Sequence, residues 1–196
     1  MIPGGQLSSE AITARIIGGR GKDISGTRDF EHGGIALNDP SEGKMYQIWN
    51  GKLVGNNIIL ESPSTDPEVI YNASGITEFS FTFDQNMRPT ISFIQDTIAK
   101  YRWYDSTIPD YRVSIIPGDI RTPKVFLDDK RVSQDLKSDI LLAYIKVRRN
   151  IKDLYYRLQR DRYATEYLLK KNCGGLLHTF GMNKKLRLQF EINLDG

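Results

Sequence analysis

The sequence predicts an all-β protein: antiparallel meanders in a propeller-blade-like or sandwich arrangement, preceded by a glycine-rich extended arm. Three observations carry this expectation. Short apolar runs separated by turn residues recur from residue 44 onward. Several alternate with period two, most cleanly Phe79, Phe81 and Phe83 against Ser80, Thr82 and Asp84. No long run of helical period competes with them, and the 196 residues suffice for one domain plus an arm.

The arm is residues 1–43. Eight of the 17 glycines fall between Gly4 and Gly34, several in pairs. Glycine loses the most backbone freedom on ordering, so this density argues against an independently folded unit. Ile12, Ile16, Ile17, Phe30, Ile35 and Leu37 follow no sustained period. Ser8-Ser9-Glu10 allows one short capped helical turn. The arm is expected to order on another surface, with Arg15, Arg20 and Phe30 as candidate contacts.

The β domain is 44–196. Tyr46–Trp49 and Lys52–Val54 flank Asn50-Gly51, a dipeptide that favours a hairpin turn there because both residues tolerate positive φ. Strands follow at Ile58–Leu60, Val69–Tyr71, Phe79–Phe83, Thr90–Ile94, Lys100–Tyr104 and Arg112–Ile116. Further strands are expected at Lys124–Leu127, Ile140–Lys146 and Leu154–Arg160, and the last alternates from Leu186 to Leu194. Ile140–Ile145 is apolar on both faces and reads as a central strand. Tyr163–Leu169 tolerates helix, but its aromatic alternation and the following Gly174-Gly175 favour strand. The core should include Phe81, Phe83, Phe93, Trp103, Leu142, Tyr144, Leu188 and Phe190.

A repeat runs through this domain. Phe83-Asp84-Gln85-Asn86 followed by Ile91–Ile94 and Tyr101–Asp105 has a counterpart in Phe126-Leu127-Asp128-Asp129, Leu141–Ile145 and Leu154–Arg157. Phe180-Gly181-Met182-Asn183 and Leu186–Ile192 begin a third unit. A four-stranded meander recurring every 40–50 residues has the arithmetic of a propeller blade, and fewer than four blades leave an open array.

Charge is unevenly placed. The formal net charge is +3, yet residues 146–196 carry 12 Lys/Arg against 5 Asp/Glu. Such asymmetry suits a polyanion or an acidic protein partner, with a solvated basic face as the simpler reading. Arg148, Arg149 and Lys152 lie in a polar stretch between two apolar runs and should project at a hairpin tip, as candidate interaction residues.

Catalytic patterns are weak. Gly18-Gly19-Arg20-Gly21-Lys22-Asp23 lacks the first glycine of a phosphate loop and has Asp23 where Ser or Thr should stand. Asp29, Glu31 and His32 lie in the arm, and Asp128-Asp129 before Lys130-Arg131 is turn chemistry. Cys173, the sole cysteine, excludes an internal disulfide and lacks a clear partner apart from His178. The expectation is therefore no enzyme, no cofactor and no metal. No apolar run reaches 18 residues, so no spanning helix is expected, and the first residues lack the pattern of a secretion signal. Tyr101-Arg102-Trp103-Tyr104 and Tyr155-Tyr156-Arg157 could stack sugars or bases, though strand alternation sends half of such a set into the core.

Six motifs then occur in a fixed order: Phe83–Pro89, Arg102–Thr107, Leu127–Arg131, Ser138–Ile145, Leu154–Arg162, and Gly181-Met182-Asn183 with Leu186–Phe190. Together, over about residues 44–192, they resemble a family of virion structural proteins of short-tailed bacteriophages, encoded among the head–tail and tail genes. The resemblance implies a multicopy part of the tail or neck: a ring, adaptor or fibre-attachment protein without catalytic residues. Partners would be copies of itself in a ring and other tail, neck or fibre proteins. The location would be the virion, and the host cytoplasm during assembly. The basic Lys146–Asn150 stands where the family's pattern has a short glycine-type turn. An acidic patch on a neighbouring tail protein is the expected partner of this tip. Contact with DNA ranks behind it, because a channel lining needs a broader basic face. A carbohydrate- or receptor-binding module of a tail fibre is the alternative, recognisable by a surface Trp or Tyr platform.

Overall fold

The computed structural model describes residues 32–36, 47–62, 65–84, 88–128, 139–182 and 188–194. The chain folds as four successive antiparallel sheets, each strand pairing with the next in sequence. The first sheet contains β1 (His32–Ala36), β2 (Gln47–Val54), β3 (Asn57–Ser62) and β4 (Thr65–Asn72). The second contains β5 (Ile76–Phe83), β6 (Pro89–Gln95), β7 (Ile98–Asp105) and β8 (Asp110–Ile115). The third contains β9 (Asp119–Asp128), β10 (Asp139–Arg148), β11 (Ile151–Leu158) and β12 (Tyr167–Lys170). The fourth pairs β13 (Gly175–Met182) with β14 (Leu188–Leu194).

The sheets stack, and apolar cores fill the spaces between them. Trp49, Ile58, Leu60 and Ile70 of the first sheet meet Phe79, Phe81, Phe83, Ile91 and Phe93 of the second. Ile94, Ala99, Tyr101 and Trp103 meet Ile120, Val125, Ile140, Leu142 and Tyr144 of the third. Leu141, Ala143, Ile145, Leu154 and Leu158 meet Leu177 and Phe180 of the fourth. The two middle sheets thus contribute to a core on each face, while their outer strands β8 and β12 stay largely exposed, and full burial of one core side chain contributes about 1.5–3 kcal/mol. Along one margin the first strand of each sheet lies against the first strand of the next: β1 on β5, β5 on β9, β9 on β13. Among the described residues no barrel closes, and the blade-like meanders form an open array.

Three phenylalanines of the sequence repeat take equivalent places in the described strands. Phe83, Phe126 and Phe180 occupy the last part of the first strand in three consecutive sheets, and all three are buried. The links between sheets add a repeat of their own. Gly75, Gly118 and Gly174 each take positive φ, at +75, +110 and +70°. Just before them, Ala73, Ile116 and Cys173 donate backbone N–H bonds to the carbonyls of Asn56, Ala99 and Lys152, tying each link back to the start of the third strand or the turn residue just before it.

Several expectations are corrected. Asn50-Gly51 is not a turn: β2 runs straight through it, Asn50 pairing with Glu61 and Gly51 with Leu60. The turn is Gly55-Asn56, with Gly55 at φ +60°. Gly51 is needed for close approach instead, since a Cβ there would meet the Phe79 and Phe81 rings at 2.9 Å. The arm boundary at residue 43 also moves. His32–Ala36 pairs with Gln47–Gly51 as the edge of the first sheet, whereas residues 1–31 and 37–46 lie outside the described residues.

Of Tyr163–Leu169, only Tyr167–Leu169 is strand. Arg162 and Tyr163 both take φ +59° after a 3-10 turn at Gln159–Asp161. Tyr163 leaves the sheet because its ring is drawn between Tyr101 and Trp103, at centroid distances of 4.9 and 5.4 Å. In the expected core, Phe190 is only half-buried, and the side chain of Leu188 lies outside the described residues.

The polar face of β5 does not meet solvent. Ser80 and Thr82, with Thr90 and Ser92 of β6, are all buried, and Ser80, Ser92 and Glu78 meet the unpaired edge of β9. Val125 donates its N–H to Ser80 Oγ (3.2 Å), Thr122 donates to Glu78 Oε1 (3.1 Å), and Ser92 Oγ donates to the Pro123 carbonyl (2.9 Å). These side chains replace the missing ladder partner that a buried edge strand would otherwise lack. A bulge at Thr122-Pro123, opposite Tyr144, bends β9 into this position.

Candidate functional site

The predicted basic tip exists and is tighter than expected. β10 and β11 pair in unbroken register from Leu141↔Leu158 to Arg148↔Ile151. Only Arg149 and Asn150 form the turn, at φ +49 and +66°, the type I′ geometry that matches strand twist. Arg149 is exposed there, although a non-glycine residue in this region costs roughly 1–2 kcal/mol. Arg148 leans back over the sheet, with its guanidinium 5.7 Å from the Tyr155 ring centre and 3.9 Å from Glu166. Lys152 is not in a loop: it is a half-buried strand residue opposite Val147.

Antiparallel pairing brings further cations to the same end. Leu154 of β11 lies opposite Lys170 of β12, so Lys170 and Lys171, both exposed, sit beside the start of β11 and the tip. Lys170 Nζ lies 5.5 Å from the Phe190 ring centre. Asp153 is the nearby acid and accepts the Asn172 N–H at 2.9 Å. Arg121, near the start of β9, is matched by Asp119 at 2.8 Å. Arg148, Arg149, Lys152, Lys170 and Lys171 therefore lie at one end of the third sheet, Arg148 on the face toward the second sheet and Lys152 and Lys170 on the face toward the fourth. The sequence reading missed the two lysines, for which β-pairing of Tyr163–Leu169 with the preceding strand was the available signal.

A polar cluster fixes the side of this end that faces the second sheet. Tyr144 OH donates to Glu166 Oε1 (2.6 Å), Lys146 Nζ donates to both Glu166 oxygens (3.0 and 2.8 Å), and Arg157 Nε donates to Tyr144 OH (2.7 Å). Burial pushes the Tyr144 phenol well up, and its bond to Glu166 pushes the same way, so it remains a donor. Burial also raises Glu166, but hydrogen bonds from Lys146 and Tyr144 outweigh it and hold the carboxyl below its ordinary range. Burial lowers Arg157, and its bond to Tyr144 more than compensates. Lys146, Arg148 and Arg157 surround a single carboxylate, so this side too carries net positive charge.

The opposite end of the stack is chemically different. Asp84, Asp105 and Asp139 are buried, and each is held by arginine. Arg88 reaches Asp84 at 2.6 Å, Arg162 and Arg112 reach Asp105 at 2.6 and 3.2 Å, and Arg160 reaches Asp139 at 3.2 Å. Hydrogen bonds from Thr107, then from Arg162, lower the Asp105 carboxyl. Charges held in this way clamp the fold rather than present an acid–base pair. Among the described residues no three of His, Cys, Asp and Glu group as metal ligands do, and no helix is long and apolar enough to cross a membrane.

The aromatic platform of a glycan reader is lacking at Tyr101–Tyr104. Tyr101 and Trp103 are buried, as is Trp49, the other tryptophan. On the opposite face, Arg88 covers Tyr104 at 4.0 Å and Arg102 covers Tyr111 at 3.5 Å. Cys173 is buried, and burial raises its thiol; His178 is exposed. Arg15, Arg20, Phe30 and Asp129 lie outside the described residues, as do the side chains of His32 and Asp128. Comparison with protein-family models, curated proteins and solved structures finds no match to this chain.

Proposed function

We propose that the protein is a non-enzymatic structural component of a bacteriophage virion, part of the tail or neck, working in several copies. The open stack carries this reading. Among the described residues the two middle sheets pack a core on each face, whereas the first and fourth each pack one on a single face. Such a unit is built to continue into neighbours rather than to enclose a substrate. The six ordered motifs add support, since the parts of them that are described recur at equivalent strands of consecutive sheets. The basic end then serves as a contact for a negatively charged surface in the assembly.

Electron microscopy of the intact particle tests this reading. The expected result is density for these four sheets in several symmetry-related copies at the tail or neck. Absence of the protein from purified particles, or cleavage of host-surface polysaccharide by the purified protein, would overturn it.

A further inference from the structure

We infer that the basic end of the third sheet binds the phosphate backbone of nucleic acid, without reading its sequence. Three cations within one turn are too narrow for this, and that narrowness is why a protein partner ranked first from sequence alone. Folding widens the patch. Arg148 closes β10, Arg149 forms the turn, Lys152 lies on β11, Lys170 ends β12 and Lys171 follows it. Adjacent strands are about 4.8 Å apart, so three strands span about 10 Å. A duplex carries one phosphate per about 1.7 Å of axis, so that span covers about six phosphates, of which about half face one side.

The composition of the patch also favours phosphate. Protein interfaces are depleted of charge, and of lysine above all, at their centre, whereas nucleic-acid interfaces are polar and strongly positive. Here Arg148, Arg149, Lys170 and Lys171 are exposed at one end of the sheet, with Glu166 3.9 Å from Arg148 and Asp153 as the nearby acids and Ile151 and Leu168 as the exposed apolar residues. The equivalent turns of the first two sheets, Gly55-Asn56 and Asp96-Thr97, carry no cation. Those sheets carry Lys52 and Lys100 three residues from the turn, Lys52 paired with Glu61 and Lys100 bonded to Gln95, so a cation in the turn itself is particular to the third sheet.

The inference rests on the virion reading for the occasion on which the protein meets nucleic acid, and on charge geometry for the contact itself. The test uses the full chain and a fluorescently labelled 30-base-pair duplex of mixed sequence, followed by anisotropy from 50 to 200 mM salt. Three to four phosphate contacts predict a slope of log K against log salt of roughly −3 to −4. Arg149→Glu and Lys171→Glu should each weaken binding severalfold and flatten the slope by about 1. Lys52→Glu, the same reversal placed on the first sheet, should leave the slope unchanged. The inference fails if the duplex does not bind at 50 mM salt, or if Lys52→Glu acts as strongly as the other two. It also fails if polyglutamate competes as well as unlabelled DNA at equal charge, which would assign the patch to an acidic protein. Any of these results leaves the particle experiment free to succeed, so the two proposals fail separately.

Discussion

The two ends of the stack use the same residue types in opposite ways. At one end, Asp84, Asp105 and Asp139 are buried and bonded to Arg88, Arg162, Arg112 and Arg160. Opposite charges face each other, and Arg162 joins the third sheet to the second across 57 residues of chain. At the other end, Arg148, Arg149, Lys170 and Lys171 are exposed, with Asp153 nearby and Glu166 3.9 Å from Arg148. Paired buried charge fixes an internal arrangement, and removal of one partner leaves the other stranded. Like exposed charge adds little to folding and creates a field to which an anionic partner responds. The difference therefore separates residues that hold the protein together from residues available for contact.

The largest expected effect lies at the paired end. Tyr163→Ala removes a fully buried ring packed on Tyr101 and Trp103. It should cost about 3–5 kcal/mol, read as a lowered denaturant midpoint, with duplex binding retained at temperatures where the variant is folded. Asp105→Asn should come next, because Arg162 and Arg112 lose their counter-charge. Its pH dependence follows from the depressed carboxyl. The stabilisation is present above the ordinary carboxylate range and is lost as pH falls through the lower folded value. Wild type and variant should thus differ at pH 7 and converge in acid, as thermal melts across pH would show.

Smaller effects are expected at the basic end. Arg149→Gly should raise stability by about 1 kcal/mol, because glycine takes φ +49° without a Cβ penalty. The same change should weaken duplex binding. Opposite signs in the two measurements would sharpen the contrast between the ends, and destabilisation would break it. Lys171→Glu should alter stability by no more than about 0.5 kcal/mol, measured by urea titration, while binding falls.

Sequence patterning revealed the strands because period-two alternation is local, and it revealed the repeat because Phe83, Phe126 and Phe180 sit at like places. It misplaced what depends on neighbouring sheets. Asn50-Gly51 has the chemistry of a turn, but Gly51 is held straight by two phenylalanine rings from the next sheet. Ser80 and Ser92 look solvent-facing, yet they complete the hydrogen bonding of β9. Tyr163 alternates like a strand residue and is captured instead by Tyr101 and Trp103. At the candidate site, Arg148 and Arg149 were legible as neighbours in sequence. Lys170 and Lys171 were not, because only the register of β12 on β11 brings them there.

The separation of the interior into three cores has a consequence for how the protein comes apart. Each core joins only consecutive sheets, so the fold behaves as a short chain of nearest-neighbour links, in the manner of repeat proteins. Melting should begin at the termini of that chain and travel inward, and amide exchange should be fastest in the first and fourth sheets and slowest in β6 and β10. A lesion around Trp49 is two links away from Arg149. It should leave the basic end shaped as before, so the contact surface can survive partial unfolding of the sheet farthest from it.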